Sequence, residues 1–493
     1  MASPLQSTPA RPEQDSQYKL PPLVIDLDGT LLRADFLWET ALSWLRFAPW
    51  RIFAVLYWLA FGRARLKAEL ARRAELDVSL LPVNEDMAAL AITAKHAGRE
   101  ILLATAADEA LAARVAARFP FIDRVIASNG VTNLKGAAKL MALQVLFPQG
   151  FDYAGDSRAD LPIWRAAEGV IVVNAAPSTL RAARALGEPL AILPRPGRLR
   201  AAVKLLRPHQ WVKNALIFVP LVLAGMMLDG AAVRSATLAF VSLCIVASAT
   251  YALNDLLDIE DDRRHWSKRR RPLASGDLPI AHGVALAGGG LALGFAVAAL
   301  AGPAVVAGVA AYLAGTLLYS LALKPIPIVD VTTLAGLFTL RLAIGCIAAG
   351  APMSPWLLTF SMFLFVSLSL AKRHTEIARA GGDGVKKKVR GYSTADEPFV
   401  VGLGMASMVA AILVFVLYLT QEAFTAAHLA EPKLLWAFPP ALFLISGRVW
   451  LISGRGELHD DPVAFAVKDR ASLAVVALLG VVFVAAWLGP PHI

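Results

Sequence analysis

Cysteine is almost missing from this chain. Cys244 and Cys346 are the two in 493 residues, both inside apolar runs, so no disulfide framework organises the fold. Charge is also scarce. Asp, Glu, Lys and Arg make up 17% of residues against 57% hydrophobic, and the mean hydropathy of +0.57 excludes an ordinary soluble protein. The N-terminal stretch MASPLQSTPARPEQDSQYKL has no apolar core, which excludes a secretory signal and leaves a disordered lead-in over 1–20. Acids are outnumbered, 38 to 48, for a net charge of +10. Such a balance suits nucleic acid or an anionic membrane surface, and the apolar content favours membrane lipids over nucleic acid.

What is present falls into two parts. Over 21–195, short β-type runs (LVIDL, ILLAT, RVIAS, VIVVN) alternate with Ala-rich helical stretches, the pattern of a parallel sheet with crossover helices. A Pro/Gly/Arg-rich linker covers 196–210, and 211–493 is almost continuously apolar. Helices of bilayer-spanning length are expected at 211–228, 233–253, 282–300, 303–323, 329–349, 355–371, 399–420, 433–451 and 470–488. Their Gly and Ala content suits close packing in a bilayer. Basic residues collect in alternate loops: Arg263 to Arg271, Lys324, Lys372 to Arg390, and Arg455 to Arg470. The positive-inside rule puts those loops and the α/β domain in the cytoplasm, with the spans in a bacterial-type inner membrane. The segment 41–61 is rich in Trp, Phe and Leu but interrupted by Arg46, Pro49 and Arg51. It reads either as an amphipathic helical pair at the membrane interface or as a helix buried in a small insertion.

VIDLDGTLL puts Asp26 and Asp28 at the end of a strand, before a glycine turn. Asp26 can attack a phosphoryl group while Asp28 handles protons, provided a cation offsets the charge. Downstream, LLATAADE offers Thr105 for a phosphate oxygen, NLKGAAK offers Lys135 as a point charge, and YAGDSRAD offers Asp156 and Asp160 as oxygen ligands. Singly, each has an ordinary reading as a cap or a solvated side chain. Together and in this order they resemble the four motifs of the haloacid dehalogenase (HAD) phosphatase superfamily, over about 22–190. That resemblance implies a Rossmann-type sheet, a helical cap at about 33–85, and Mg²⁺ held among Asp26, Asp28, Asp156 and Asp160.

In the apolar part, NDLLDIEDD packs five acids into nine residues and RRHWSKRRR packs six bases into the next nine. On a helix, Asn254, Asp255, Asp258 and Asp262 share one face and could hold Mg²⁺ on a diphosphate. Arg264, Lys268, Arg269 and Arg271, among these bases, could grip a further anion. NDLLDIEDD resembles the first aspartate-rich motif of the UbiA-type intramembrane prenyltransferases, a superfamily of nine-helix membrane proteins. Their second motif has no counterpart in the loop 372–398. LRPHQWVKNALIFVPL, KRRRPLASG, YSLALKPIPIVDV and AKRHTE resemble the polyprenyl-phosphate phosphoribosyltransferases, over about 204–490. This branch implies phosphoribosyl pyrophosphate as donor and a lipid phosphate as acceptor. It implies Asp255 and Asp258 in catalysis, with Asn254 and Asp262 completing the metal site, and Lys213, Arg269, Tyr319, Lys324, Lys372 and Arg373 at the substrates. Two other classes compete: prenyl transfer from an isoprenyl diphosphate to a small acceptor, and a transporter, which would leave the carboxylates unexplained.

Overall fold

The computed structural model describes residues 20–46, 48–128, 134–194, 197–381, 390–426, 428–458 and 469–489. The expected lead-in lies outside them, apart from Leu20. The chain forms two compact units, Met1–Ala202 with Leu256–His282, and Val203–Asp255 with Gly283–Ile493. The division therefore differs from a single cut at the linker, of which Arg198–Leu206 is a helix. The segment after the acidic motif belongs with the α/β part.

In the first unit, six parallel strands lie in the order β3-β2-β1-β4-β5-β6. They are β1 (Leu23–Asp26), β2 (Ile101–Asp108), β3 (Arg124–Ser128), β4 (Asp152–Gly155), β5 (Gly169–Val173) and β6 (Ala191–Leu193). Strand direction alternates side chains between two cores. Leu23, Ile25 and Leu103 pack on one face, and Val24, Leu102, Ala104 and Tyr153 on the other. Chain order reverses beside β1, which pairs with both β2 and β4. In open α/β sheets a crevice forms at the carboxyl ends of strands at such a point.

Between β1 and β2 the chain is helical: α1 (Phe36–Arg46), α2 (Ile52–Ala60), α3 (Arg63–Arg73) and α4 (Glu85–His96). Within 41–61, Trp58 is buried against Leu66 and Leu70, with the Arg73 guanidinium over its ring. Phe53, Leu56, Tyr57 and Phe61 instead face outward, Phe53 at 73% exposure. The insertion thus has a small core of its own and an apolar outer face. It meets the segment Leu256–His282 through a bidentate ion pair, Arg263 donating to the two Glu39 oxygens at 2.9 and 2.7 Å. Both side chains are under 5% exposed.

The second unit is all-helical. Across the described residues, eight helices are long and apolar enough to cross a bilayer: Gly230–Leu257, Ile280–Ala301, Pro303–Leu323, Val329–Ala349, Pro355–Arg379, Thr394–Thr425, Pro432–Gly454 and Arg470–Leu488. The expected span at 211–228 is different. It is broken into a 3-10 stretch, Pro208–Ile217, a short α-helix, Phe218–Leu223, and a 3-10 turn, Met226–Leu228. Pro220 lacks a backbone donor and Gly225 sits at φ +68°, so helical hydrogen bonding is interrupted at each. The broken piece is nonetheless held tightly: a Cβ on Gly345 would lie 2.2 Å from the Ile217 carbonyl. Lys372 and Arg373 also differ from expectation, lying within the helix Pro355–Gly381 rather than in a loop.

Glu39→Ala should leave Arg263 as an unpaired buried charge and destabilise the first unit by about 3–5 kcal/mol. Replacing Glu39 and Arg263 together by leucine should recover most of that loss. Thermal unfolding followed by circular dichroism reads the difference, and equal loss in both variants would contradict it.

Candidate active sites

At the crevice beside β1, Asp26 ends its strand and Asp156 follows β4. Ligand oxygens of Asp26, Asp156 and Asp160 lie within 4.8 Å of one another, and this is the cluster of metal-ligating type among the described residues. Asp160 is the most fixed. Its Oδ2 accepts from the Asp156 and Ser157 amides at 3.2 and 3.0 Å, and its Oδ1 from the Tyr153 hydroxyl at 3.1 Å. Gly29 shapes the crevice, since at φ +76° its added Cβ would meet the Asp156 Oδ2 at 2.4 Å.

The cation in contact with Asp26 is Lys139. Its buried ammonium donates to Asp26 Oδ1 at 2.9 Å, to the Ala104 carbonyl and to Tyr153. Sequence reasoning missed this residue in favour of Lys135, which is exposed and lines the cavity without touching Asp26. Lys139 lies in the first turn of the helix Ala137–Leu146 and Lys135 just before that helix, so the spacing to the aspartates could not tell them apart. Thr105 is not at the cavity wall; it is fully buried and its hydroxyl accepts from the Ala107 amide at 3.0 Å. The register of β2 shifts between Ala104 and Asp108, and Ala106, Ala107 and Asp108 reach the wall instead.

One ammonium among so many carboxylates leaves excess negative charge. Burial raises Asp26 despite Lys139. Asp28 is pushed to about 7 by burial and by Asp35 and Asp26, and Asp156 to about 8 by burial and by Asp26, Asp160 and Asp28. The donor set, hard oxygens with a charge deficit, fits a divalent cation such as Mg²⁺. Asp28 also accepts from the Phe36 amide at 3.1 Å, which fixes it at the mouth of the insertion.

The second unit has a cavity of about 200 Å³ lined by Lys213, Tyr251, Asn254, Tyr312, Tyr319, Lys372, Arg373 and Arg390, with Leu337, Phe338 and Phe365 on the apolar side. Five expected residues therefore meet: Lys213, Asn254, Tyr319, Lys372 and Arg373. Asn254 Oδ1 is buried with no hydrogen-bond partner. Arg373, 1% exposed, donates to Asp330 Oδ2 at 2.7 Å, and Tyr392 donates to the other Asp330 oxygen at 2.8 Å. Arg390 donates to the Tyr319 hydroxyl at 2.9 Å. Tyr319 begins a π-helical turn, Tyr319–Leu323, that continues the preceding helix, a local distortion common at functional positions. Asp330, Arg390, Tyr392 and the cavity-lining Arg341, which donates to Asn214 and Tyr312, escaped sequence reasoning. Asp330 and Tyr392 were legible only as a pair brought together from 62 positions apart. Lys324 does not line this cavity.

The acidic motif is not one continuous helix. Gly230–Leu257 ends before Asp258, and Ile259–Arg264 starts a new one. In the second unit Arg207 donates to Asp255 at 2.6 Å. In the first, Arg271 donates to Asp262 at 2.7 Å, Arg264 lies 3.5 Å from Asp77, Asp258 is half-buried, and Lys268 and Arg269 are exposed. Arginines thus neutralise the motif's buried carboxylates.

Residues 218–467 match the UbiA prenyltransferase family, and the chain belongs to it. Within that family it falls in a phosphoribosyltransferase-like branch. A decaprenyl-phosphate phosphoribosyltransferase of Mycolicibacterium smegmatis is 30% identical over 300 residues, covering 58% of this chain and 90% of the relative. Nodulation protein NoeC of Azorhizobium caulinodans is 34% identical over 280 residues, 56% of this chain and 91% of its own. An uncharacterized protein, y4nM, of Sinorhizobium fredii is 39% identical over 468 residues, 94% of this chain and 91% of its own. The last match therefore includes the α/β part.

The raised carboxyls give a pH dependence. Their folded values exceed the ordinary 3.8, so their contribution to stability is complete below about pH 4 and is lost as pH rises through about 7 to 8. Without divalent cations the melting midpoint of the first unit should fall between about pH 6 and about pH 9, and Mg²⁺ should restore it at the upper end. A flat profile, or no response to Mg²⁺, would contradict the crowded-carboxylate description.

Proposed function

We propose that the second unit transfers a 5-phosphoribosyl group from phosphoribosyl pyrophosphate to a polyprenyl phosphate, and that the first unit is a HAD-type phosphatase removing the 5-phosphate of the product. The observation carrying this reading is the cation-lined cavity around Asn254. It supplies several bases and an unsatisfied amide oxygen, as a donor with a diphosphate and a second phosphate requires. Similarity to decaprenyl-phosphate phosphoribosyltransferases supports the choice of donor and acceptor.

In this reading Asn254 and Asp255 of the second unit would hold Mg²⁺, which would supply positive charge to the departing diphosphate. Metal binding there would require Arg207 to release Asp255. Lys213, Lys372 and Arg390 orient the anions, while Arg373 is locked by Asp330 and fixes the wall. The ribose C1–oxygen bond to diphosphate breaks as a C1–oxygen bond to the lipid phosphate forms. The acceptor is already ionised, so no strong base is needed, and diphosphate leaves with the bonding pair. One acidic motif with many cations suits this better than prenyl transfer to an uncharged acceptor.

For the phosphatase, Asp26 attacks the phosphorus and Lys139 holds its carboxylate in place. Asp28, raised to about 7, is about half protonated at neutral pH, and its protonated form can donate to the leaving sugar oxygen. Water then hydrolyses the acyl phosphate on Asp26. The first unit and the transferase lie on one chain, which raises the effective concentration of product at the second site.

Asp255→Asn should abolish transfer while hydrolysis of p-nitrophenyl phosphate persists. Asp26→Asn should do the reverse, and lipid-linked ribose retaining its 5-phosphate should accumulate. Mass spectrometry of lipid extracts reads both; wild type that fully retains the phosphate with Mg²⁺ present would refute the coupled reaction.

A further inference from the structure

The crevice at Asp26 opens into a cavity of about 570 Å³, all of it within the first unit. Asp26, Asp28, Lys139, Asp156 and Asp160 occupy one part of its wall and account for a single phosphoryl group. The volume lies in the range of sites for whole small molecules. Another part of the wall is basic and is not used by that chemistry.

Arg33 and Arg198 both line the cavity, and the Nε of each is buried with no hydrogen-bond partner. A buried guanidinium N–H without an acceptor is costly, and a carboxylate or phosphate oxygen is the group that relieves it best. Their other contacts are weak. Arg33 Nη1 lies 3.4 Å from Asp277 Oδ1, and Arg198 Nη1 lies 3.4 Å from His282 Nε2. Asp156 is the carboxylate whose charge acts on Arg198, which places this guanidinium near the phosphoryl end. The segment supplying Asp277 and His282 is held close to Arg33. Gly276 has φ +73°, and a Cβ there would lie 2.3 Å from the Arg33 carbonyl oxygen.

We propose that Arg33 and Arg198 form a second anion subsite, so that this cavity takes a small sugar carrying two phosphate esters and cleaves the one placed at Asp26. The proposal rests on the reading of the first unit as a phosphatase, and it names the substrate class of that site. The second phosphate is either that of a free sugar bisphosphate or the phosphodiester of a lipid-linked sugar phosphate; the recognition chemistry is the same.

The test uses the full chain in detergent with Mg²⁺, comparing kcat/KM for p-nitrophenyl phosphate, ribose 5-phosphate and ribose 1,5-bisphosphate. Wild type should favour the bisphosphate over ribose 5-phosphate by roughly tenfold or more, the scale of a charge-assisted hydrogen bond. Arg198→Gln and Arg33→Gln should each shrink that ratio through KM. Arg198→Lys, which keeps charge without the planar fork, should give an intermediate ratio and serves if the glutamine variant does not fold. Equal use of the two sugars by wild type, or a ratio unchanged in these variants, would overturn the subsite. Failure to hydrolyse p-nitrophenyl phosphate would instead refute the phosphatase reading beneath it. A parallel arm supplies lipid-linked 5-phosphoribose made in place. Slowed dephosphorylation there by Arg198→Gln assigns the second anion to the lipid phosphodiester, and an effect confined to the soluble sugar assigns it to a free bisphosphate.

Discussion

Negative charge held at close quarters, with too little positive charge beside it, is the constraint from which the first unit's chemistry follows. Asp26, Asp156 and Asp160 converge within 4.8 Å, where burial would normally disfavour even one ionised carboxylate. Lys139 offsets part of that charge and the backbone amides at Asp156 and Ser157 offset more. What is left raises Asp28 and Asp156, to about 7 and about 8. The second unit meets the opposite problem. Lys213, Lys372, Arg373 and Arg390 crowd one cavity, and Asp330 with its tyrosine partner holds one of these cations in place.

The parts legible in the sequence were those that depend on local periodicity or on residues adjacent in the chain. Parallel strands alternating with helices, and long apolar runs, translated directly into the sheet and eight long helices. The expected boundaries of Pro303–Leu323, Val329–Ala349 and Arg470–Leu488 coincide with those observed. Hydropathy alone failed at 211–228, because it counts apolar residues and ignores what Pro220 and Gly225 do to backbone hydrogen bonds.

Within the sites, DxDGT and the GDSRAD string located four of the crevice carboxylates, since strand ends in a parallel sheet converge by topology. Lys139 was illegible because choosing it over Lys135 requires knowing where the helix Ala137–Leu146 starts and which way it faces. Asp330 reads as an isolated acid at a helix start until Arg373 and Tyr392 are placed around it. Arg33 and Arg198 belong to no motif in the sequence, and only the buried, unsatisfied state of their Nε atoms marks them.

The account's central claim is that a sugar phosphate donor, rather than an isoprenyl diphosphate, occupies the transferase. Purified full chain supplied with polyprenyl phosphate and Mg²⁺ can be offered labelled phosphoribosyl pyrophosphate or labelled isoprenyl diphosphate, with label counted in the lipid extract. The account requires incorporation from phosphoribosyl pyrophosphate, with release of diphosphate. Incorporation from the isoprenyl donor into a small acceptor, with none from phosphoribosyl pyrophosphate, would contradict it.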